Sequence, residues 1–305
     1  MTQARSLRGI GDRLFDARLH DVRGAASTVF DDIAGQPCWL AHGIEDTPAL
    51  PTPAAGMRAI VIGTTHRDIA GPWESRTAEP AWCATLPPDC IIELDANLRI
   101  RGMRALDAPS HAPDARSVDV DLGAAPVLVV PCVLDLDLCT ALIDHLCIAC
   151  AGGDDSGVLV VEDGRPTVRT DATIKRRRES PIRDAALDAR VHERLLRRAL
   201  PEISRTLQFD VQRRDPFKLL SYVAGAGYFR PHRDNDTPDV AHRRFALSVN
   251  LNTGAYAGGA FRYPEFGARE YAPAIGAALV FSCSLLHEVT PVEQGTRYAL
   301  TTFLA

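Results

Sequence analysis

The stretch KLLSYVAGAGYFRPHRDN, residues 218–235, decides the fold of the C-terminal half of this chain. Residues 218–223 are typical of a β-strand, residues 224–227 form a glycine-rich turn, and a second strand leads to His232. Residues i and i+2 of an extended chain point to the same side, so His232 and Asp234 can bind one metal ion. The stretch therefore predicts antiparallel β-structure with a candidate metal site at its end.

The same pattern of short strands and turns continues to the last residue. Short strands separated by glycine, asparagine and proline turns are predicted at residues 218–223, 245–251, 259–263, 277–282 and 296–304. Upstream, residues 126–134 predict a strand, residues 135–150 a helix capped by Asp135, and residues 184–207 a further helical region. The fold class is α+β, with the strands forming a sandwich or small barrel beside flanking helices.

His287 follows the apolar strand of residues 277–286. A neighbouring antiparallel strand can bring it to His232 and Asp234. Two imidazoles and one carboxylate form the facial triad of non-haem Fe(II) oxygenases, which leaves three coordination positions open. Because H-x-D alone occurs by chance in long chains, the surrounding residues decide its significance.

Arg297 lies ten residues after His287, on the last predicted strand. The residues that share its face are Ala299, Thr301 and Phe303. A buried guanidinium needs a carboxylate partner, and the small neighbours leave space for one, so a dicarboxylate ligand is indicated. The alternative is an arginine on the solvent face of an edge strand.

These residues belong to a longer series of motifs. The series consists of Tyr222 ten residues before His232, the turn 224–229, His232-x-Asp234-Asn235, Asn250-Leu251-Asn252, Gly258-Gly259, Gly276-x-x-Leu279-Val280-Phe281 and His287-x9-Arg297. In order and spacing, residues 218–305 resemble the Fe(II)- and 2-oxoglutarate-dependent oxygenases of the prolyl 4-hydroxylase type. The resemblance implies a double-stranded β-helix, or jelly roll.

The resemblance also implies the site residues. His232, Asp234 and His287 are expected to bind Fe(II) and to be the catalytic centre, and Arg297 to bind the distal carboxylate of 2-oxoglutarate with help from Tyr222 and Thr301. Asn250 stands where many relatives have a tyrosine at that carboxylate. O2 is the second co-substrate, and ascorbate is an optional reductant. Because an acid is present as Asp234, hydroxylation of an aliphatic carbon is favoured over halogenation.

The N-terminal region alternates apolar runs at residues 38–41, 58–62 and 90–94 with turn residues, which predicts a smaller α/β unit. Residues 11–15, 34–37 and 91–99 faintly resemble a thioredoxin-like peroxiredoxin domain. A peroxidatic cysteine is missing after Pro37, since no cysteine occurs between Cys38 and Cys83. We expect a degenerate redoxin-like domain at residues 1–112, serving as a scaffold or substrate lid, a linker at 113–122, and the oxygenase domain at 123–305.

The amino-acid composition restricts the classes of binding partner. Thirty-four basic and 39 acidic residues give a formal net charge of −5, which argues against nucleic-acid and anionic-membrane partners. No secretory leader or spanning segment is recognisable, so a cytoplasmic protein with reduced thiols is expected. Cys147 and Cys150 continue an apolar helical pattern and are predicted to be buried thiols rather than a zinc or redox site.

The sequence says less about the substrate than about the metal and co-substrate sites. Residues 175–178, Lys-Arg-Arg-Arg, are interpreted as a solvated charge run, with a substrate-facing loop as the alternative. Arg243 and Arg244 either bind a substrate carboxylate or form surface salt bridges. These anchors favour a free amino acid or small natural product as substrate. The alternatives are a peptidyl-prolyl hydroxylase, or a thiol redox or sensor module without hydroxylase activity.

Overall fold

The computed structural model describes residues 12–44, 50–53, 57–69, 71–106, 123–149, 157–162, 165–169 and 171–305. The chain separates into two compact units, one ending at Gly123 and including residues 264–267, and one from Ala124 onward without them. The predicted linker, residues 113–122, lies outside the described residues. In the described part of the chain, no helix has the length and apolar character needed to cross a membrane.

The N-terminal unit contains a seven-stranded mixed sheet. Its strands are β1 (Arg18–His20), β2 (Ala26–Thr28), β3 (Cys38–His42), β4 (Arg58–Gly63), β5 (Glu74–Ala78), β6 (Cys90–Leu94) and β7 (Ile100–Ala105), in the order β2-β1-β5-β4-β3-β6-β7. Strands β3, β4 and β5 are parallel neighbours, and the other pairings are antiparallel. The strands predicted from the three apolar runs are confirmed as β3, β4 and β6.

Two short helices accompany this sheet, α1 (Val29–Asp32) and α2 (Pro80–Cys83). The hydroxyl of Thr28 caps α1 by accepting a hydrogen bond from the backbone N–H of Asp31 at 3.2 Å. Helix α2 begins with Pro80, whose fixed backbone angle suits the first helical position. The thioredoxin-like assignment of this unit stays a prediction.

The C-terminal unit is mostly antiparallel sheet. Its strands are β8 (Leu128–Val130), β9 (Val158–Glu162), β10 (Arg165–Arg169), β11 (Lys175–Arg176), β12 (Arg178–Pro181), β13 (Lys218–Val223), β14 (Tyr228–His232), β15 (Phe245–Asn250), β16 (Tyr256–Gly258), β17 (Phe261–Arg262), β18 (Glu270–Tyr271), β19 (Ala278–Ser282), β20 (His287–Val289) and β21 (Val292–Leu304). One sheet has the order β12-β13-β21-β15-β19-β8, with β16 paired to β21. The other has the order β11-β14-β20-β17-β18, and β9 pairs with β10. Two such sheets are consistent with the predicted jelly roll.

Helices cover one sheet of this unit. They are α3 (Leu136–Ala149), α4 (Ala185–Arg194) and α5 (Leu200–Leu207), with a π-helical segment, Leu195–Ala199, joining the last two. The carboxylate of Asp184 caps α4 by accepting hydrogen bonds from the N–H groups of Ala186 and Leu187 at 2.8 and 3.0 Å. Helix α5 ends where Gln208 adopts a left-handed conformation, with φ of 51°. Apolar residues of these helices form one core with strands β13, β15, β19 and β21.

Helix α3 confirms the predicted cap and corrects one cysteine prediction. Asp135 caps it as predicted, because its carboxylate accepts a hydrogen bond from the N–H of Leu138 at 3.2 Å. Its buried stripe is Leu138, Cys139, Leu142 and Leu146. Cys147 is exposed, so the prediction of a buried thiol is wrong there: one step beyond Leu146 turns a helical side chain off the stripe. Cys150 lies outside the described residues.

Candidate active site

Strands β14 and β20 bring the three predicted metal ligands together. His232 ends β14 and His287 begins β20, and the two residues are directly paired across the antiparallel ladder. Asp234 follows two residues after His232, and its backbone N–H donates to the carbonyl of Cys283 at 3.0 Å. The ladder is irregular between Phe229 and His232, which turns the end of β14 toward its neighbour. Sequence-local spacing and one strand pairing therefore build the triad.

The geometry of the triad fits a single metal ion. Asp234 Oδ1 lies 3.5 Å from His232 Nε2, and Asp234 Oδ2 lies 3.3 Å from His287 Nε2. The ligand atoms all lie within 4.8 Å of one another. Ligands about 2.1 Å from a metal and at right angles to each other are about 3 Å apart, which is close to this arrangement. The donor set of two nitrogens and one oxygen is the one that non-haem Fe(II) uses.

Backbone carbonyls orient both imidazoles. His232 Nδ1 lies 2.7 Å from the carbonyl oxygen of Arg230, and His287 Nδ1 lies 2.9 Å from that of Leu285. A carbonyl oxygen can only accept, so each Nδ1 carries the proton and each Nε2 keeps a free lone pair. Both lone pairs lie on the side of Asp234, where a metal ion would be bound.

The protonation states suit metal binding as well. Burial lowers the pKa of His287 to about 4, although the carboxylate of Asp234 opposes this shift. Burial alone would raise the pKa of Asp234, but the imidazoles of His287 and His232 outweigh it and lower that pKa to about 2. At neutral pH, His287 is therefore neutral and Asp234 ionised, which are the forms that coordinate a cation.

Aromatic rings surround the triad. The ring of Phe229 stacks on His232 with centroids 3.5 Å apart, and the ring of Phe281 meets His287 at 4.6 Å in a T-shaped arrangement. Phe261 lies 6.3 Å from His287 on another side. These rings restrict the imidazoles to one orientation and keep bulk water away from them.

One cavity is lined by the triad and by Arg297. Arg297 is 1% exposed, and its Nη2 donates to Asn250 Oδ1 at 2.9 Å. Its Nε and Nη1 are buried and have no hydrogen-bond partner among the described residues. A buried guanidinium with two unused N–H directions is costly unless an anion fills the site. This cavity is therefore built to receive a carboxylate.

Two consecutive glycines lie beside this part of β21, and one of them makes room for this arginine. A Cβ on Gly259 would lie 3.0 Å from Cδ of Arg297 and 2.9 Å from a methyl group of Val292. A Cβ on Gly258 would lie 2.2 Å from the carbonyl oxygen of Pro291. Both glycines also have positive φ, at 72° and 62° in chain order, where side chains are strained. Gly259 is thus required by the close approach to Arg297, and Gly258 by the close approach to the backbone of Pro291.

Of the other predicted co-substrate residues, two line the same cavity and the third, Asn250, contacts Arg297. Tyr222 pairs with Arg297 across β13 and β21, and it lines the cavity with Thr301. The hydroxyl of Thr301 donates to the carbonyl of Leu247 at 3.2 Å. Asn250 is 3% exposed, and its Nδ2 donates to the carbonyl of Pro273 at 3.1 Å, so its Oδ1 is directed at Arg297. The amide of Asn250 is thus held between the carbonyl of Pro273 and the guanidinium of Arg297.

A comparison with protein-family models supplies the deciding observation. Residues 217–305 match the model described as the 2OG-Fe(II) oxygenase superfamily. This segment is a 2OG-Fe(II) oxygenase domain. With the His-Asp-His triad in place, the protein is an Fe(II)- and 2-oxoglutarate-dependent dioxygenase.

Solved structures similar to the oxygenase segment include three prolyl hydroxylases. The viral collagen prolyl hydroxylase of Paramecium bursaria Chlorella virus-1, in its 2-oxoglutarate complex, is 17% identical, with a TM-score of 0.44 over 61% of this chain and 98% of that chain. A Pseudomonas putida prolyl-4-hydroxylase is 23% identical, with a TM-score of 0.44 over 60% and 95%. A Trichoplax adhaerens prolyl hydroxylase, in complex with a hypoxia inducible factor peptide fragment, is 16% identical, with a TM-score of 0.46 over 60% and 85%. The comparison with curated protein sequences found no match.

The prediction that residues 175–178 form a solvated charge run is wrong for two of the four side chains. Arg176 and Arg178 are exposed, but Lys175 is 5% exposed and Arg177 lines the cavity. These residues lie on β11 and β12 and between them, so alternate side chains face inward. A run without apolar residues gives no hydrophobic alternation that could reveal this face.

Arg243 and Arg244 lie elsewhere in the oxygenase domain. Arg243 Nη2 lies 2.8 Å from Asp215 Oδ2, and its guanidinium lies 3.8 Å from the centroid of the Phe303 ring. Arg244 is exposed. Neither lines the cavity of the triad. Their predicted role in substrate binding stays a prediction, and the arginines that do line the cavity are Arg177 and Arg297.

Proposed function

We propose that the oxygenase domain hydroxylates an aliphatic carbon of a small free substrate, such as a free amino acid or a small natural product. The observation that carries this proposal is the shared cavity of a metal-binding triad and a buried arginine without a carboxylate partner among the described residues. A chelating dicarboxylate can contact both at once. The overall reaction converts R–H, O2 and 2-oxoglutarate into R–OH, succinate and CO2.

The metal ligands are assigned to His232, Asp234 and His287. Their fit rests on the separations among the ligand atoms and on the free Nε2 lone pairs described above. Fe(II), when bound there, supplies the activation of O2 that couples decarboxylation of 2-oxoglutarate to hydroxylation. Because Asp234 provides the third ligand, oxygen rather than chloride transfer is expected.

Arg297 is assigned to the distal carboxylate of 2-oxoglutarate. Its two unused N–H directions allow a bidentate, charge-assisted contact in a site shielded from water. Asn250 orients the guanidinium through the 2.9 Å bond to its Oδ1. Tyr222 and Thr301 complete the walls around this carboxylate. The phenylalanines that line the cavity keep the site dry, which strengthens the ion pair.

The N-terminal unit is assigned a structural role without thiol chemistry. Burial raises the pKa of the Cys38 thiol to about 12, and burial also raises the pKa values of Cys83 and Cys90. Thiols of this kind stay protonated and unreactive at neutral pH. Replacing the three cysteines together with serine should leave hydroxylation unchanged in a folded protein. Thiol-dependent peroxide consumption by the native protein would instead support the redox alternative.

The test of the proposed function is a substrate panel. The iron-loaded protein is incubated with 2-oxoglutarate and either free amino acids or proline-containing peptides, and succinate and product mass are followed. We expect a free amino acid to stimulate succinate formation and to gain one oxygen atom, about 16 Da. Stimulation by peptides alone would favour the peptidyl-prolyl alternative. A chlorinated product would contradict the role of Asp234.

A further inference from the structure

The cavity contains a second guanidinium that the assignments above do not use. Arg177 lies between β11, which pairs with β14, and β12, which pairs with β13. It is therefore located where the chain passes from one sheet of the oxygenase domain to the other. Both β11 and β12 are edge strands of their sheets, so Arg177 lies at an edge of each.

The contacts of Arg177 hold it in one orientation. Its Nη1 donates to the hydroxyl oxygen of Tyr222 at 3.0 Å, and its Nη2 donates to Glu179 Oε2 at 3.1 Å. Its guanidinium lies 4.8 Å from the ring centroid of Phe229, the ring that stacks on His232. Its Nε is buried and has no hydrogen-bond partner among the described residues. A fixed guanidinium with donors to spare is a preorganised anion site.

The charges around Arg177 do not balance. Glu179 faces the charged groups of Arg177 at 3.1 Å and Lys218 at 3.2 Å, and the amine of Lys175 at 4.0 Å. Burial would raise the pKa of Glu179, but Arg177 and Lys218 outweigh burial and lower that pKa to about 2. One carboxylate cannot neutralise both Arg177 and Lys218, so positive charge remains beside the cavity. An anionic ligand would compensate it.

The two arginines that line the cavity differ in solvent exposure. Arg297 is 1% exposed, whereas the side chain of Arg177 is 13% exposed. Tyr222 lies between them, with the two guanidinium carbons 5.2 and 5.9 Å from its ring centroid. The deeper arginine suits the co-substrate that chelates the metal. The shallower one lies where a substrate would follow it into the cavity.

We infer that Arg177 binds a carboxylate of the substrate and is the residue that selects for it. The inference rests on the proposed function, in which Arg297 binds 2-oxoglutarate. It names the substrate class as a small acid with a free carboxylate. A residue inside a peptide offers neutral backbone amides at the corresponding position and would leave Arg177 without a charged partner.

The experiment compares acids with their amides. Free amino acids that stimulate succinate formation are assayed beside the matching carboxamides, with the native protein, Arg177→Gln and Arg177→Lys. Arg178→Gln is the matched control, because Arg178 is exposed and next in sequence. We expect the native preference for acid over amide in kcat/KM to fall at least tenfold in Arg177→Gln and to recover partly in Arg177→Lys. The half-saturating 2-oxoglutarate concentration should stay within about twofold of native.

Several outcomes would overturn the inference. An unchanged acid-to-amide preference in Arg177→Gln would show that Arg177 does not contact the substrate carboxylate. A tenfold or larger rise in the half-saturating 2-oxoglutarate concentration would instead place Arg177 in the co-substrate site. A native protein that binds Fe(II) and 2-oxoglutarate but is stimulated by none of the acids would overturn it too. A native protein that binds neither, in an anaerobic spectroscopic titration, would instead contradict the proposed function. Circular dichroism of each variant separates these results from unfolding.

Discussion

Two arginine clusters in this protein have opposite charge balance. In the N-terminal unit, Arg58 and Arg76 share two carboxylates: Asp32 lies 2.8 and 2.7 Å from them, and Glu74 lies 2.7 and 2.8 Å from them. In the oxygenase domain, Arg297 is bonded to an amide, and Arg177 shares one carboxylate with two lysines. The first cluster is neutral and complete, whereas the second has donors and positive charge left over.

This difference distinguishes a structural network from a binding site. Desolvated charges are tolerated when each is paired and hydrogen-bonded, which the N-terminal cluster achieves by itself. The oxygenase cluster can reach the same state when anions enter the cavity. Matched substitutions in the two clusters should therefore have opposite effects on folding and on turnover.

The largest effect is expected at the triad. In His287→Ala, one of three metal ligands is lost, so iron binding and succinate formation should both be abolished while the fold is retained. Iron content after reconstitution and succinate formation are the measurements. His192→Ala, at an exposed histidine of α4, is the control. Turnover retained in His287→Ala would rule out the triad assignment.

The next effect concerns Arg297. Truncating one partner of a buried, hydrogen-bonded charge pair costs on the order of 2 to 5 kcal/mol, so Arg297→Met should raise the half-saturating 2-oxoglutarate concentration roughly thirty-fold or more. Arg297→Lys should recover part of this loss, because it keeps the charge without the planar fork.

The same variant also tests the charge balance. Since Arg297 is a buried charge without a carboxylate partner among the described residues, Arg297→Met should not lower the free energy of unfolding of the protein measured without 2-oxoglutarate. Iron binding should persist. An unchanged 2-oxoglutarate dependence would place the arginine outside the co-substrate site.

Arg58→Met is the counterpart in the balanced cluster. It leaves Asp32 and Glu74 with one guanidinium between them. Three hydrogen bonds to these carboxylates and one to the backbone carbonyl of Asp32 are lost, which should lower the free energy of unfolding by at least about 2 kcal/mol. Urea denaturation measures this change. Turnover per folded molecule should match that of the native protein. A stability equal to native, or a loss of turnover without unfolding, would contradict the structural role of this network.

The smallest effect is a pH dependence at Lys175. Burial, reinforced by nearby Arg177, lowers the pKa of Lys175 from its usual 10.5 to about 7. Between about pH 7 and pH 10 the unfolded chain keeps a proton there that the folded protein has lost, so folding becomes more favourable as pH rises.

The comparison is made with Lys175→Met, which has no group to titrate. The native protein should gain stability relative to this variant between pH 7 and pH 10 in chemical denaturation. Arg178→Met, at an exposed neighbouring position, is the control and should show no such trend. If the difference in stability between the native protein and Lys175→Met did not change with pH, Lys175 would keep its proton in the folded state.

Much of the oxygenase domain was predictable from short-range patterns. The strand at residues 218–223 and the helix cap at Asp135 match their predictions because apolar alternation and capping chemistry act over a few residues. The prediction for Cys147 was wrong because an apolar helical pattern does not show whether the residue next to Leu146 is part of the buried stripe.

The sequence by itself determined the elements of the site. H-x-D sets two ligands on one side of an extended chain, His287-x9-Arg297 sets the distance along the chain between metal ligand and arginine, and Gly259 leaves space beside that arginine. Each of these relations depends on backbone geometry within one or two strands, which the residue types specify directly.

Only the tertiary structure decided which charges face inward. Residues 175–179 are all charged, so no difference in hydropathy distinguishes their two faces, and pairing with β13 and β14 alone selects Lys175, Arg177 and Glu179 for the interior. The imbalance of charge at the cavity likewise arises between strands distant in sequence, where Glu179 meets Lys218 and Arg297 meets Asn250. Long-range pairing fixes the electrostatics of the site because charges interact through space rather than along the chain.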